Sequence, residues 1–328
     1  MDVLVFGASG QLGDALRKVQ PEQLSTVYLQ RDECDLGRAE QVRDCLEHHK
    51  PRFVVNAAAY TAVDKAESEA TLARAINADA PAVMAEWVKS SGFYVGRDSS
   101  ASSRQAESSL MPEQTARVQQ RNLNPRLIHI STDFVFDGAK TEPYLPDDPP
   151  HPKSVYGQSK LDGEKHVAGI APEQSVILRT SWVYSEHGNN FVKTMLRLMQ
   201  ERDELNVVDD QRGSPTYARG LAETIWGIVC TEDFAPGIYH WTDAGVISWF
   251  EFALAIQEEA LDCGILAKKV PVRPISTEAY PTPAARPHYS ALDSSTLEQH
   301  YQTQKKTWRD QLRDMLRQLI VAAENGAE

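Results

Sequence analysis

The sequence predicts an α/β protein: a Rossmann-type, doubly wound parallel sheet with a smaller C-terminal substrate-binding lobe. Three observations predict it. Short, near-continuous apolar runs alternate with helix-like segments through the first half of the chain, as strands covered on both faces do. The first such run leads directly into glycines spaced GxxGxxG. After Tyr184 the alternation gives way to an irregular pattern of longer helices, which suits a lobe added to a sheet.

Taken in order, Val3–Phe6, Thr26–Leu29, Phe53–Ala57, Leu127–Ile130 and Val176–Leu178 read as strands, each bounded by polar or glycine punctuation. Gln11–Gln20, Ala39–His49 and Ala70–Lys89 read as the helices between them, and this alternation is the mark of a doubly wound sheet. Thr141–Pro152 is too rich in proline for regular structure. Helices are expected near Asn190–Glu201, Ser248–Ala260 and Thr307–Ile320. The expected division is residues 1–184 for a dinucleotide-binding domain and residues 185–328 for the lobe, with segments returning to the sheet. Residues 93–125 exceed the usual few-residue connection and read as an atypical insertion, with at most one short helix around Glu113–Gln120. The insertion joins a helix to the start of a strand, so it is expected at the amino edge of the sheet.

The formal net charge of −12 argues against a nucleic-acid surface, which needs a basic footprint. Cys34, Cys45, Cys230 and Cys263 are scattered without CxxC spacing, so free thiols in a reducing cytosol are expected rather than a disulfide or metal framework. No signal peptide and no membrane-spanning run is apparent, and the expected location is the cytoplasm.

Gly7, Gly10 and Gly13 sit between a strand and a helix. In that context glycines allow a tight turn, close approach to a pyrophosphate and close helix–strand packing, and the helix N-terminus offers free amides. At the end of the second strand, Arg31 either pairs with the 2′-phosphate of NADP or is simply solvated. NADPH is the expected cofactor, with NADH as a second choice.

Tyr156 and Lys160 are one helical turn apart. An ammonium beside a phenol is expected to lower its pKa from about 10. The phenol could then donate a proton to a carbonyl oxygen during reduction. Ser131, Thr132 and Asp133 close the fourth strand, where ligands of open α/β sheets bind. A hydroxyl there either stabilises the developing charge or merely caps a turn.

Longer motifs then carry a resemblance. GASGQLG (7–13), VNAAAYTAVDKAESE (55–69), HISTDFVFDG (129–138), VYGQSKLDGEK (155–165), RTSWVY (179–184), GNNFVKTMLRL (188–198), DQRGSPT (210–216) and YPTPAARPHYS (280–290) together resemble the dTDP-4-dehydrorhamnose reductase family of extended short-chain dehydrogenases. The resemblance implies reduction of the 4-keto group of a dTDP-6-deoxy-hexos-4-ulose to dTDP-L-rhamnose. It implies Tyr156 as proton donor, Lys160 on the nicotinamide ribose, and Thr132, Asp133 and Trp182 against the sugar. Gly10, Gln11, Leu12, Asp35, Leu36, Ala59, Tyr60 and Thr61 would touch the dinucleotide, and Arg286 the substrate diphosphate. Gln30 stands where the family often has a carboxylate. Arg219 and Ala15 stand where family members carry Mg²⁺-binding glutamates at a dimer interface. No metal ligand is therefore assigned, and Mg²⁺ and a homodimer stay open. Two other readings compete: a nucleotide-sugar epimerase or dehydratase of the same superfamily, and a non-catalytic subunit like the regulatory subunit of methionine adenosyltransferase.

Overall fold

The structure is a computed structural model and describes residues 1–92 and 124–325. Among these, six parallel strands form one sheet. Their spatial order is Thr26–Leu29, Val3–Phe6, Phe53–Asn56, Arg126–Thr132, Ser175–Thr180 and Gly237–His240. Five of them are the strands expected from their apolar runs. The sixth, an edge strand from the C-terminal half, was not foreseen. The strand order reverses beside Val3–Phe6, the switch point at which open α/β sheets form a ligand crevice.

Both faces are covered, which explains why the strands read as unbroken apolar runs. On one face, Leu12, Ala15 and Leu16 of helix Gln11–Lys18 pack with Leu221, Ile225 and Trp226 of helix Ala218–Cys230. The Trp226 indole donates to the carbonyl of Leu16 at 3.0 Å. On the other face, Val42, Leu46, Met84, Val88 and Val167 come from helices Ala39–His49, Ala80–Gly92 and Val155–Ile170. Trp87, Trp226 and Trp241 are buried in packing, as expected.

The long helix expected over Ala70–Lys89 is broken into Ala70–Arg74, a π turn at Ala75–Asp79 and Ala80–Gly92. The turn places Asn77 to receive the Tyr60 amide on Oδ1 (2.8 Å) and to donate from Nδ2 to Ser159 Oγ (3.0 Å). A π turn of this kind commonly marks a functional position.

A second core unites helices Phe191–Glu201, Trp249–Asp262 and Trp308–Asn325 through Val192, Met199, Phe252, Ile256, Leu312 and Met315. Trp249–Asp262 begins in a capping box formed by Ser248 and Glu251. The helix proposed around Glu113–Gln120 and most of the insertion lie outside the described residues. The four cysteines are free. No described helix is long and apolar enough to cross a membrane.

Candidate active site

Because the strands run parallel, their carboxyl ends share one edge, and most of the candidate residues follow those ends directly. The turn after Val3–Phe6 is closely built. Gly7 has φ +91°, and a Cβ there would lie 2.7 Å from the Ala58 amide. A Cβ on Gly13 would lie 2.2 Å from the Gly7 carbonyl oxygen, so these two positions admit only glycine. Gly10, by contrast, has room for a Cβ at 3.4 Å from that oxygen. It N-caps the helix without a side-chain hydrogen bond, which leaves the amides of Gln11 and Leu12 for a ligand.

The Gln11 side chain turns toward the lobe, while its amide stays at the helix N-terminus. It accepts from Asn190 Nδ2 at 2.9 Å and donates to the Val183 carbonyl at 3.4 Å, so it fastens the lobe to the turn. Arg31 lies just past the second strand, 75% exposed and 4.0 Å from Asp35, a pair weak enough to yield to a stronger anion. Asp35 accepts from the Gly37 amide, and Leu36 is buried. Ala59, Tyr60 and Thr61 follow strand Phe53–Asn56.

The fourth strand ends at Thr132, whose hydroxyl oxygen accepts from the Phe134 amide at 3.2 Å and donates to Asp133 Oδ1 at 3.0 Å. The helix carrying Tyr156 and Lys160, Val155–Ile170, is N-capped by Ser154, whose Oγ accepts from the Gly157 amide at 3.1 Å. Glu67 accepts from the Val155 amide at 2.9 Å. Tyr156 is buried, and its ring meets Phe134 edge-on at 5.6 Å. Lys160 donates to the Ile130 carbonyl at 2.6 Å.

The expected acidification of Tyr156 is not what this geometry produces. Burial pushes the phenol up to about 12, against a lowering contribution from Thr132, and the Asp133 charge raises it further. The reason is where the lysine points. Lys160 Nζ is drawn to the strand carbonyl of Ile130, and burial pulls Lys160 itself down to about 8, offset in part by Glu164. Burial also raises Asp133 to about 6, although Ser290 and Thr132 hydrogen-bond its charged form. His129 is structural, as expected: it is buried, held at Nδ1 by Asn56 at 3.0 Å, and desolvation keeps it neutral.

Beneath the helix lies a buried ion pair absent from the sequence reading. Arg179 meets Glu164 in two hydrogen bonds of 2.9 and 2.7 Å, with both side chains 2% exposed. Ser131 donates to the same carboxylate at 2.5 Å, and the guanidinium lies 5.0 Å from the Phe136 ring centre.

Phe134, which meets the Tyr156 ring, also lines a cavity of about 630 Å³ whose wall includes Trp182, Trp249, Tyr280, Arg286 and Ser290. The cavity brings together Trp182 and Arg286, expected at the substrate, although 104 residues separate them in sequence (286 − 182). Trp182 stacks on Trp249 with ring centres 3.5 Å apart and planes 9° off parallel. Trp249 belongs both to the lobe packing and to the cavity wall. Nothing in its spacing could have shown this. Ser290, which lines the same cavity, was likewise beyond sequence reasoning.

A switch-point glycine turn and a Tyr/Lys helix facing a strand-end threonine define the class: NAD(P)-dependent oxidoreductases of the extended short-chain dehydrogenase type. The family model "RmlD substrate binding domain" matches residues 1–102 and 97–321. The dTDP-4-dehydrorhamnose reductase of Burkholderia thailandensis is 38% identical over 318 residues, 94% of this chain and 96% of the relative. That of Aggregatibacter actinomycetemcomitans is 37% identical over 95% of this chain and 97% of its own. A crystal structure of the Bacillus anthracis dTDP-4-dehydrorhamnose reductase in complex with NADP is 34% identical, covers 97% of this chain and 100% of that one, and has a TM-score of 0.81. The chain belongs to the dTDP-4-dehydrorhamnose reductase family.

Proposed function

We propose that this protein reduces the 4-keto group of dTDP-4-dehydro-6-deoxy-L-mannose with NADPH, giving dTDP-L-rhamnose. The observation that carries the reading is the buried Tyr156 and Lys160 set against the end of strand Arg126–Thr132, with Phe134 reaching from the Tyr156 ring to the wall of the Trp182–Arg286 cavity. Family membership supplies the substrate.

The residues fit a dinucleotide. Gly7 and Gly13 give a turn with no Cβ in the way, the helix behind it carries no side-chain cap, and Arg31 stands exposed for a 2′-phosphate. When bound, NADPH supplies the hydride. Tyr156, its phenol raised to about 12, holds its proton at neutral pH and gives it to the carbonyl oxygen. Thr132 donates a hydrogen bond to the same oxygen and meets the charge that develops there. Lys160, charged below a pH of about 8, takes the nicotinamide ribose. Asp133 and Trp182 contact the sugar, and Arg286 the diphosphate. In this reading residues 1–184 hold the dinucleotide and residues 185–328 mainly build the sugar-nucleotide lobe. The enzyme works in the cytoplasm, and chromatographic sizing reads whether it is a homodimer.

The test follows NADPH oxidation on addition of the keto-sugar nucleotide. Consumption of one NADPH per keto-sugar supports the reading. Retention of bound NAD through turnover would indicate an epimerase or dehydratase instead, and inert protein a non-catalytic subunit. Tyr156→Phe is expected to lower kcat about a hundredfold while NADPH still binds. Turnover near that of the wild type would remove Tyr156 from its role.

A further inference from the structure

Resting on the sugar-nucleotide reading above, we propose that Asp64 is a positioning residue: it grips one edge of the Arg286 guanidinium and turns the other toward the diphosphate of the substrate.

Asp64 lies on the short helix Val63–Ala66, just beyond the Ala59–Thr61 loop. Arg286 donates to both its carboxylate oxygens, from Nη1 to Oδ1 at 3.0 Å and from Nη2 to Oδ2 at 2.7 Å. The Ala284 amide donates to Oδ1 at 3.2 Å. Nη1 also reaches Thr282 and the Ala284 carbonyl. Every one of these bonds uses the end of the fork. A guanidinium has a second planar edge, formed by Nε–H and the other Nη2 proton, which matches two phosphate oxygens as well as it matches a carboxylate. Arg286 lines the cavity with Trp182 and Trp249, so orienting that edge sets where a diphosphate can sit.

The anchor itself is rigid. The segment that bears Asp64 is held through Asn77 to Ser159 and through Glu67 to the start of the Tyr156 helix. Arg286 is thereby referenced to the catalytic helix and does not simply swing on its own loop. The pair is partly exposed, at 26% and 39% for the two side chains. A pair in that setting adds little to folding, so its consequence falls on substrate binding.

The experiment measures dTDP binding by calorimetry, with steady-state kinetics on the keto-sugar nucleotide and thermal melting as controls, for Asp64→Asn, Asp64→Ala and Asp64→Glu. Asp64→Asn and Asp64→Ala are expected to raise the Kd for dTDP and the KM about tenfold, with kcat changed less than about threefold. Tm should stay within about 2 °C. Asp64→Glu, which restores the carboxylate, should recover part of the loss. In an Arg286→Ala background Asp64→Asn should add nothing further. Wild-type or tighter dTDP binding by Asp64→Asn would overturn the inference, and so would a full penalty in the Arg286→Ala background. Failure of the wild-type protein to bind dTDP would instead bring down the functional reading, and this inference with it.

Discussion

Tyr156 and Lys160 exchange the properties usually assigned to them. The phenol is the firmly protonated member, raised to about 12, and the amine is the group that titrates near neutrality, at about 8. The pH dependence of the reaction should therefore follow the lysine. It is charged below about 8 and neutral above, so kcat/KM should fall as pH rises through that value, read from a log kcat/KM profile. Stability runs the other way. The unfolded lysine keeps its proton up to its ordinary value of 10.5, so the unfolded state binds more protons between about 8 and 10.5, and this group's contribution to stability rises with pH across that window. Asp133 behaves as the mirror case. Buried and raised to about 6 from 3.8, it costs stability when ionised, fully so above about 6. Asp133→Asn should raise Tm by a few degrees at pH 7.5, with the gain shrinking toward pH 4, while turnover drops. At this scale the placement of Thr132 at a strand end and of Tyr156 and Lys160 one helical turn apart was legible, because it follows from local spacing. The sequence could not reveal Asp64, Ser290 or Trp249, whose partners lie far along the chain, nor where Lys160 would point.

Among the elements, the helix Val155–Ile170 has its start held from two sides. Ser154 caps it, and Glu67 takes the Val155 amide from outside. Ser154→Ala should cost about 1 kcal/mol, measured by denaturant unfolding, and should also lower turnover because the cap lies two residues before Tyr156. Five strands were legible because each is an apolar run between polar boundaries. Gly237–His240 was not. It is a four-residue edge strand whose first two residues are half-buried, and its parallel partner Ser175–Thr180 is some sixty residues earlier, so no hairpin signal marks it. Helix Ala218–Cys230 was hidden by its own burial. Nine of its residues are buried, and only Arg219, Glu223, Gly227 and Cys230 leave a narrow exposed stripe, so little polar patterning marks it in the sequence. The π turn at Ala75–Asp79 follows from the bonds that Asn77 makes to Tyr60 and Ser159, and these are tertiary. The insertion enters after Gly92 and leaves before Arg126, the start of a strand whose far end is Thr132. Its ends are thus at the edge away from the chemistry, and deleting residues 98–120 should leave kcat and KM within about twofold. Collapse of activity in a folded deletion variant would refute this.

For the molecule as a whole, two cores meet at the site. The sheet with its flanking helices supplies the glycine turn and Tyr156, and the lobe core supplies the wall bearing Trp249. Gln11 joins them by reaching Asn190 and Val183. After Tyr184 the chain returns to the sheet at Ala218–Cys230, at Gly237–His240 and, through Leu297, at Ser295–Tyr301. The Glu164–Arg179 pair has a historical consequence. Removing either partner strands a charge in the interior, at a cost of about 3–5 kcal/mol, whereas replacing both with well-packed apolar side chains can be neutral. The halfway genotype is the expensive one, so point mutation cannot easily walk from one arrangement to the other. Descendants of this gene should inherit the couple intact or lose it in a single leap, and a lineage caught with only one member should be found to have lost the protein.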